Sequence, residues 1–132
     1  MAMSTAASDF RAAIERGDLD GMVATLADDV VLHSPVSFKP FEGRAAVAQL
    51  FEILVRTFED FRYTDDLPGD EVHAMIFRAR IGDREVEGLD LIRPGPDGRI
   101  VDFTVMVRPL TGVVALAEAV GPQLAAAQDA PA

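Results

Sequence analysis

Asp90 is the residue whose surroundings in the sequence point most directly to chemistry. It lies in an alternating segment, residues 85–93, in which Gly88 and Ile92 share its side of the backbone. A carboxyl group among apolar neighbours loses hydration, which raises its pKa and suits it to proton transfer near neutral pH. We therefore predict that Asp90 is a catalytic acid or base. The alternative is a structural carboxylate paired with an arginine or a backbone amide.

Two histidines and a serine are the remaining polar candidates. His73 alternates in phase with Met75 and lies toward Asp90 in the expected sheet, so it is the better candidate for a catalytic partner. His33 is the second catalytic candidate, and Ser34 beside it can offer a hydroxyl group to a ligand. The alternatives are a partly buried histidine without a catalytic function and, for the serine, a hydrogen bond to the backbone at a strand end.

An apolar pocket is the environment that such a carboxyl group needs. The aromatic and methionine side chains that can line it are Phe10, Phe41, Phe51, Phe58, Met75 and Phe77. Ordinary core packing is the alternative for each of them. The chain has no cysteine, which excludes disulfides, thiolate nucleophiles and cysteine-bound zinc. The two histidines have no metal-ligand spacing, so we predict neither a metal nor a cofactor.

The excess of acidic residues limits the classes of partner. With 12 basic and 22 acidic residues, the chain carries a net charge of -10. Nucleic acids and anionic membranes both attract clustered lysine and arginine, so neither is an expected partner. Residues 1–9 lack the basic and apolar regions of a signal peptide, and we expect no apolar run to reach the length of a membrane span. We predict a cytoplasmic protein that binds a small apolar molecule.

The first half of the chain predicts helices that carry several of these phenylalanines. Ser8 is the predicted N-cap of a first helix, and Asp18 begins a second, shorter one. The clearest apolar stripe has helical spacing over residues 47–58. Between the helices, residues 30–34 predict a short strand and residues 36–43 predict a loop.

The second half predicts an antiparallel sheet that positions Asp90. Alternation predicts strands over residues 61–64, 72–81, 85–93 and 99–108. A two-residue turn at residues 82–83 sets the register of the middle pair, with Arg78 opposite Glu87. In the same register Met75 lies opposite Asp90. Ion pairs then fall on one face of the sheet, and apolar residues fall on the other.

The outer face of this sheet also carries apolar residues that a two-layer domain leaves in water. The apolar residues are Ile76, Leu89, Leu91 and Met106, and Thr104 lies on the same face. A second copy of the chain removes them from water, so we expect a homodimer through the outer sheet face. Beyond the sheet, residues 111–128 predict a C-terminal helix that is interrupted at Gly121-Pro122.

A family resemblance is visible in the first part of the chain. It is carried by Gly17-Asp18-Leu19-Asp20-Gly21, by Leu26-Ala27-Asp28-Asp29-Val30 and, after Pro35, by Phe41-Glu42-Gly43-Arg44. These runs resemble the nuclear-transport-factor-2-like superfamily, particularly its steroid-isomerase and SnoaL-like cyclase branches. The resemblance implies an α+β, cystatin-like fold in which a cone-shaped, curved antiparallel sheet wraps around N-terminal helices. It implies a single SnoaL-like domain over residues 1–132, with a core at about 8–108, whereas the C-terminal helix at about 111–128 lies outside the resemblance.

The functional residues of these branches are matched only in part. Steroid isomerases of the family place a tyrosine oxyanion donor where this chain has Phe10 and a general-base aspartate where it has Ser34. Their second donor, a protonated aspartic acid, matches Asp90. Limonene-type epoxide hydrolases place an arginine where this chain has Gly88, so the resemblance argues against both activities. SnoaL-like cyclases use an acidic strand residue with a histidine nearby, a pattern that Asp90 satisfies with either histidine.

Two functions of different classes are compatible with these observations. The first is a cofactor-independent acid–base enzyme, of the cyclase, isomerase or dehydratase type, in which Asp90 transfers a proton on an apolar substrate. The second is a non-catalytic module that binds a hydrophobic ligand or mediates dimerisation. The residues at positions 10 and 34 favour the module, whereas a carboxyl group among apolar neighbours favours the enzyme.

Overall fold

The helices and strands follow one another largely as the sequence predicts. The computed structural model describes residues 5–129, so the leader prediction for residues 1–9 falls partly outside the described residues. The elements are α1 (Ala6–Glu15), α2 (Leu19–Ala24), β1 (Leu26–His33), β2 (Phe41–Glu42), α3 (Arg44–Thr57), β3 (Glu59–Pro68), β4 (His73–Ile81), β5 (Arg84–Pro94), β6 (Ile100–Arg108) and α4 (Leu110–Asp129).

Side-chain caps begin the first two helices. Thr5, rather than the predicted Ser8, caps α1, because its hydroxyl accepts a hydrogen bond from the backbone N–H of Ser8 at 3.1 Å. Asp18 caps α2 as predicted and accepts from the N–H of Gly21 at 2.9 Å. The residues that α3 buries are Val47, Leu50, Phe51 and Ile53.

One curved sheet of six strands, in the order β2-β1-β6-β5-β4-β3, packs against the helices. Neighbouring strands are antiparallel except for β1 and β6, which run parallel. The predicted register of β4 and β5 is confirmed, with Met75 opposite Asp90 and Arg78 opposite Glu87. The fold is the mixed α+β architecture that the resemblance implies, with helices at both ends of the chain.

Two strands are longer than their sequence patterns indicate. β1 begins at Leu26, because the backbone there pairs with Ile100 before a register shift carries the strand on to Val31. Asp28 lies exposed in this irregular stretch, so its polarity does not end the strand. β3 continues as far as Pro68, well beyond the predicted end at residue 64. This extension determines the environment of His73.

The C-terminal helix is continuous, which corrects the predicted interruption at Gly121-Pro122. Pro122 lies inside α4, where a proline removes one backbone N–H donor. Gln123 beside it is held by its side chain, whose amide nitrogen donates to the carbonyl of Ala119 at 2.8 Å. The amide oxygen of Gln123 accepts from Nε of Arg56 at 2.7 Å, so α4 is fastened to α3 at this point.

The same helix corrects the expectation about membrane spans. By length and composition alone, Leu110–Gln128 is long and apolar enough to cross a membrane. A single helix of this kind is weak evidence for a membrane protein. In the structure α4 packs on the sheet through Leu116, which is buried in one cluster with Ala79, Ile81 and Val86.

Candidate acid–base site

Asp90 lies on the inner face of β5, with Met75 of β4 on one side and Val105 of β6 on the other. The residue is only 5% exposed. Its Oδ2 accepts a hydrogen bond from the hydroxyl group of Tyr63 at 2.7 Å. Burial raises the pKa of Asp90 to about 7, and the hydrogen bond from Tyr63, which lowers it, only partly offsets that effect. The carboxyl group therefore exists in both protonation states near neutral pH.

Tyr63 is the residue that the sequence analysis missed. It lies on β3 opposite Phe77 of β4, and its long side chain reaches past that strand to Asp90. Burial raises the pKa of the Tyr63 phenol well above its ordinary range, and the negative charge of Asp90 adds to this. Tyr63 therefore stays protonated and acts as a hydrogen-bond donor to the carboxyl group. The sequence indicates this contact only weakly. Alternation predicts which face of β3 carries Tyr63, but it does not predict the register of β3 against β4 that brings Tyr63 to Asp90.

A cavity of about 160 Å³ opens in front of the carboxyl group. Its lining residues are Phe10, Ile14, Gly17, Met22, Phe51, Leu54, Val55, Phe58, Phe61, Phe77, Asp90, Phe103 and Val105. Asp90 is the charged side chain in this lining, and its neighbours there are apolar. An apolar cavity of roughly 150 Å³ accommodates a molecule the size of benzene. The cavity thus places one ionisable group against a space for one ring.

Gly88 makes room for the wall of this cavity. A Cβ atom built at position 88 would lie 2.1 Å from Cζ of Phe77, far inside van der Waals contact. The Phe77 ring therefore lies directly over β5, beside Asp90, because position 88 has no side chain. Where limonene-type epoxide hydrolases place an arginine, this chain uses the space for an aromatic wall.

The predicted lining residues divide into three groups. Phe10, Phe51, Phe58 and Phe77 line the cavity at Asp90. Phe41 and Ser34 line a second cavity instead. Met75 is fully buried in the core opposite Asp90. The structure thus brings four of the predicted residues together with the carboxyl group.

His73 is buried, but its imidazole pairs with Asp66 of β3 and not with Asp90. The register places His73 opposite Ile92, at the end of the sheet, and the extension of β3 brings Asp66 beside it. Burial opposes ionisation of Asp66, but hydrogen bonds from His73 and Arg11 outweigh it and lower the pKa of the carboxyl group. The expected pairing of His73 with Asp90 is therefore replaced by an ion-pair cluster at the sheet end.

Arg11 connects this cluster to the candidate site. Its Nη1 lies 2.7 Å from Oδ2 of Asp66, and its guanidinium carbon lies 5.6 Å from the centre of the Tyr63 ring. The cation thus rests on the aromatic face of the residue that donates to Asp90. No local motif joins Arg11 to Asp66, because the two lie on different elements and meet only in the folded chain.

His33 and Ser34 lie away from Asp90. Nε2 of His33 lies 3.1 Å from Oδ2 of Asp102, and the histidine side chain is 43% exposed. The hydroxyl oxygen of Ser34 accepts from the backbone N–H of Ser37 at 3.2 Å and therefore stabilises the loop after β1. Neither residue lines the cavity that contains the carboxyl group. Among the described residues, no group of three or more histidine, aspartate or glutamate side chains could hold a metal ion.

Comparison with known proteins identifies the family. Residues 7–108 match the SnoaL-like domain. The chain belongs to the SnoaL-like family. The SnoaL-like fold includes isomerases and cyclases. The family match ends at residue 108, so α4 lies outside it.

Solved structures similar to this SnoaL-like protein agree with the assignment. A steroid delta-isomerase from Pseudomonas aeruginosa is 39% identical over 95% of this chain and 93% of its own, with a TM-score of 0.87. An uncharacterised protein with a cystatin-like fold from Silicibacter pomeroyi is 30% identical over 89% of this chain and 84% of its own, with a TM-score of 0.85. SalBIII, an epoxide hydrolase/cyclase-like enzyme of pyran ring formation, shares the fold at 19% identity over 81% of this chain and 90% of its own, with a TM-score of 0.66.

Proposed function

We propose that this SnoaL-like protein is a cofactor-independent enzyme that moves a proton on an apolar carbonyl compound, with Asp90 as the proton-transfer group. One observation carries the proposal: a carboxyl group with a pKa of about 7 faces an apolar, ring-sized cavity. A general base or acid is most effective when its pKa lies near the working pH. The reaction class is isomerisation, or a cyclisation or dehydration that begins with the same proton transfer.

The geometry of the carboxyl group supports one particular sequence of steps. Oδ2 is engaged by Tyr63, which leaves Oδ1 as the oxygen for a bound molecule. In its ionised form Asp90 takes a proton from the carbon next to a carbonyl group, and an enolate forms. Asp90, now protonated, returns that proton to a different carbon of the conjugated system. The double bond moves, the carbonyl group is restored, and the carboxylate is regenerated.

The relative from Pseudomonas aeruginosa supports isomerisation as the first reaction to test, because it is named a steroid delta-isomerase. The residues around the site argue for a modified arrangement. Phe10 offers no hydroxyl group, and the hydroxyl of Ser34 is directed to the backbone of its own loop. In this chain Asp90 therefore has to take and return the proton itself, with Tyr63 holding it in position.

A second candidate function is apolar-ligand binding without chemistry. It is favoured by the lining of the cavity, in which the residues other than Asp90 are apolar. A buried carboxyl group can also act only as a hydrogen-bond partner for a ligand hydroxyl. The two functions differ in one measurable property, which is whether a carbon-bound proton of the ligand exchanges.

The test uses a small ketone that fits one ring-sized cavity. The β,γ-unsaturated cyclohexenone is incubated with the protein in deuterium oxide, and NMR follows its conversion to the conjugated isomer. We expect conversion above the buffer rate for the wild type and loss of it for Asp90→Asn. Asp83→Asn is the matched control, because the Asp83 side chain is 97% exposed. Binding of the ketone without exchange in the wild type would establish the second candidate function instead.

We further propose that the protein acts as a homodimer through the outer face of the sheet. Met106 on this face is 56% exposed and borders an apolar groove with Ile76 and Leu89. Glu87 accepts from Arg108 at 3.2 Å beside the same groove. Opposite charges next to an apolar patch are complementary to their own copy across a twofold axis, which favours a second copy as the partner.

A further inference from the structure

A second cavity of about 140 Å³ lies beneath α4. Its walls come from the loop after β1, from α3 and from α4, and no residue of the lining carries a charge. The residues that α4 contributes are Leu116, Ala117, Val120, Gly121 and Leu124. The cavity therefore resembles the first one in size and in its apolar character, but it contains no group that can transfer a proton.

The two cavities meet at a common wall. Leu54, Phe58 and Val105 line both of them. Val105 is also the residue directly opposite Asp90 in the register of β5 and β6. The second cavity is thus separated from the space in front of the carboxyl group by a single layer of side chains. Leu54 and Phe58 are therefore the side chains that would have to move for one molecule to occupy both spaces.

The volumes limit what one molecule can occupy. Each cavity is close to the roughly 150 Å³ that holds one benzene-sized ring. A carbonyl compound larger than one ring extends beyond the space in front of Asp90, and the shared wall borders an adjoining apolar space that can take the rest of it.

We propose that the cavity beneath α4 is the distal subsite for the same substrate. The substrate is then an apolar carbonyl compound with two ring-sized parts, or with one ring and a short alkyl chain. This inference rests on the proposed function of Asp90, which fixes where the reactive end lies. The uncharged lining favours an apolar far end of the substrate, because a charged group placed inside the cavity would have no partner there.

α4 sets the size limit of this subsite. The helix lies beyond residue 108, where the family match ends, so the far wall belongs to a part of the chain outside the shared domain. Gln123 fastens this wall to α3 through Arg56 and through the hydroxyl group of Thr57. Substitutions on the cavity side of α4 will therefore change substrate length without touching Asp90.

The experiment uses para-alkylphenols, whose hydroxyl group can donate to the Asp90 carboxylate while the alkyl chain points away from it. Calorimetry measures the affinity of each phenol from methyl to hexyl at mildly alkaline pH. If the chain enters the second cavity, the affinity rises by about fourfold for each added methylene. A plateau after ethyl in the wild type would overturn the proposal.

Two variants test where the alkyl chain of the phenol lies. Ala117→Phe fills the second cavity, so it is expected to bind the methyl compound like the wild type and to lose the gain beyond propyl. Ala125→Phe makes the same change at an exposed position of α4 and is expected to keep the full series. If affinity depends on alkyl-chain length in the same way in both variants, the proposed subsite is contradicted. If Ala117→Phe fails to fold, the wild-type series alone decides between a continued rise and an early plateau.

The outcome is independent of whether Asp90 is catalytic. Asp90→Asn is expected to weaken all the phenols by a similar factor and to leave the dependence on chain length unchanged. A rising series in a protein that does not exchange the ketone proton would support the subsite and overturn the proposed reaction. Exchange of the ketone proton together with a flat series would support the reaction and overturn the subsite.

Discussion

Replacing Asp90 by asparagine should make the protein more stable at neutral and alkaline pH. The pKa of an aspartate is about 3.9 in the unfolded chain, and burial raises it to about 7 in the folded protein. Because the folded-state pKa is the higher one, the folded form binds the proton more tightly. The stability that this proton provides is complete below about pH 4 and is lost as the pH rises to the folded value.

The size of the effect comes from the same two values. A difference of about three pKa units corresponds to about 4 kcal/mol of unfolding free energy, at 1.36 kcal/mol for each unit. Above the pI of about 4.5 the protein carries a net negative charge. Between about pH 5 and pH 8 the free energy of unfolding of the wild type should therefore fall by about 2.5 kcal/mol relative to that of Asp90→Asn. The buried amide has its own cost, but that cost does not change with pH.

Urea unfolding of both proteins across this pH range measures the difference directly. Groups that titrate in the same way in both proteins cancel, so only the contribution of Asp90 remains. Asp83→Asn serves as the control and should give a difference that is flat with pH, because its side chain is 97% exposed. A flat difference for Asp90→Asn, or a variant that becomes relatively less stable as the pH rises, would refute the reasoning.

Three further substitutions test individual contacts. Tyr63→Phe removes the hydrogen bond that favours the ionised carboxylate, so the pKa of Asp90 should rise by a further unit or so, as measured by NMR titration; no shift would show that the bond is not formed in solution. Gly88→Ala places a methyl group against the Phe77 ring and should lower the free energy of unfolding by about 1–3 kcal/mol, as measured in urea; an unchanged value would contradict the packing described for that ring. Leu89→Arg introduces a charge on the outer face and should convert the proposed dimer to a monomer in sedimentation experiments; a wild-type monomer at tens of micromolar, an order-of-magnitude test concentration, would exclude that interface.

The placement of Asp90 on the inner face was predictable because two adjacent strands and their turn fix each other. A two-residue turn at residues 82–83 permits one register, and that register places the oppositely charged pairs Arg78–Glu87 and Arg80–Glu85 on the outer face. Asp90 is the one carboxyl group on the inner face of this strand pair, so it is conspicuous. Local rules were sufficient here because every contact involved lies within one hairpin.

The partners of Asp90 could not be predicted in the same way. Tyr63 reaches it from a strand whose register depends on two irregularities in the pairing of β3 with β4. His73 pairs with Asp66, because β3 extends to Pro68 and brings Asp66 beside the histidine. The sequence at the end of β3 resembles a turn, so this extension could not be predicted. The position of α4 over the second cavity depends on its packing against α3 and against strands β4, β5 and β6. These features arise from tertiary contacts, which composition and periodicity do not specify.

The titration of the Asp90 carboxyl group tests the central claim of a poised acid–base group. Carbon NMR of protein with isotopically labelled aspartate follows each carboxyl group with pH, and Asp90→Asn identifies the signal that belongs to position 90. The structure predicts a midpoint near 7 for that signal, because burial outweighs the hydrogen bond from Tyr63. A midpoint at or below the ordinary aspartate value of about 3.9 would contradict it and identify Asp90 as a structural carboxylate.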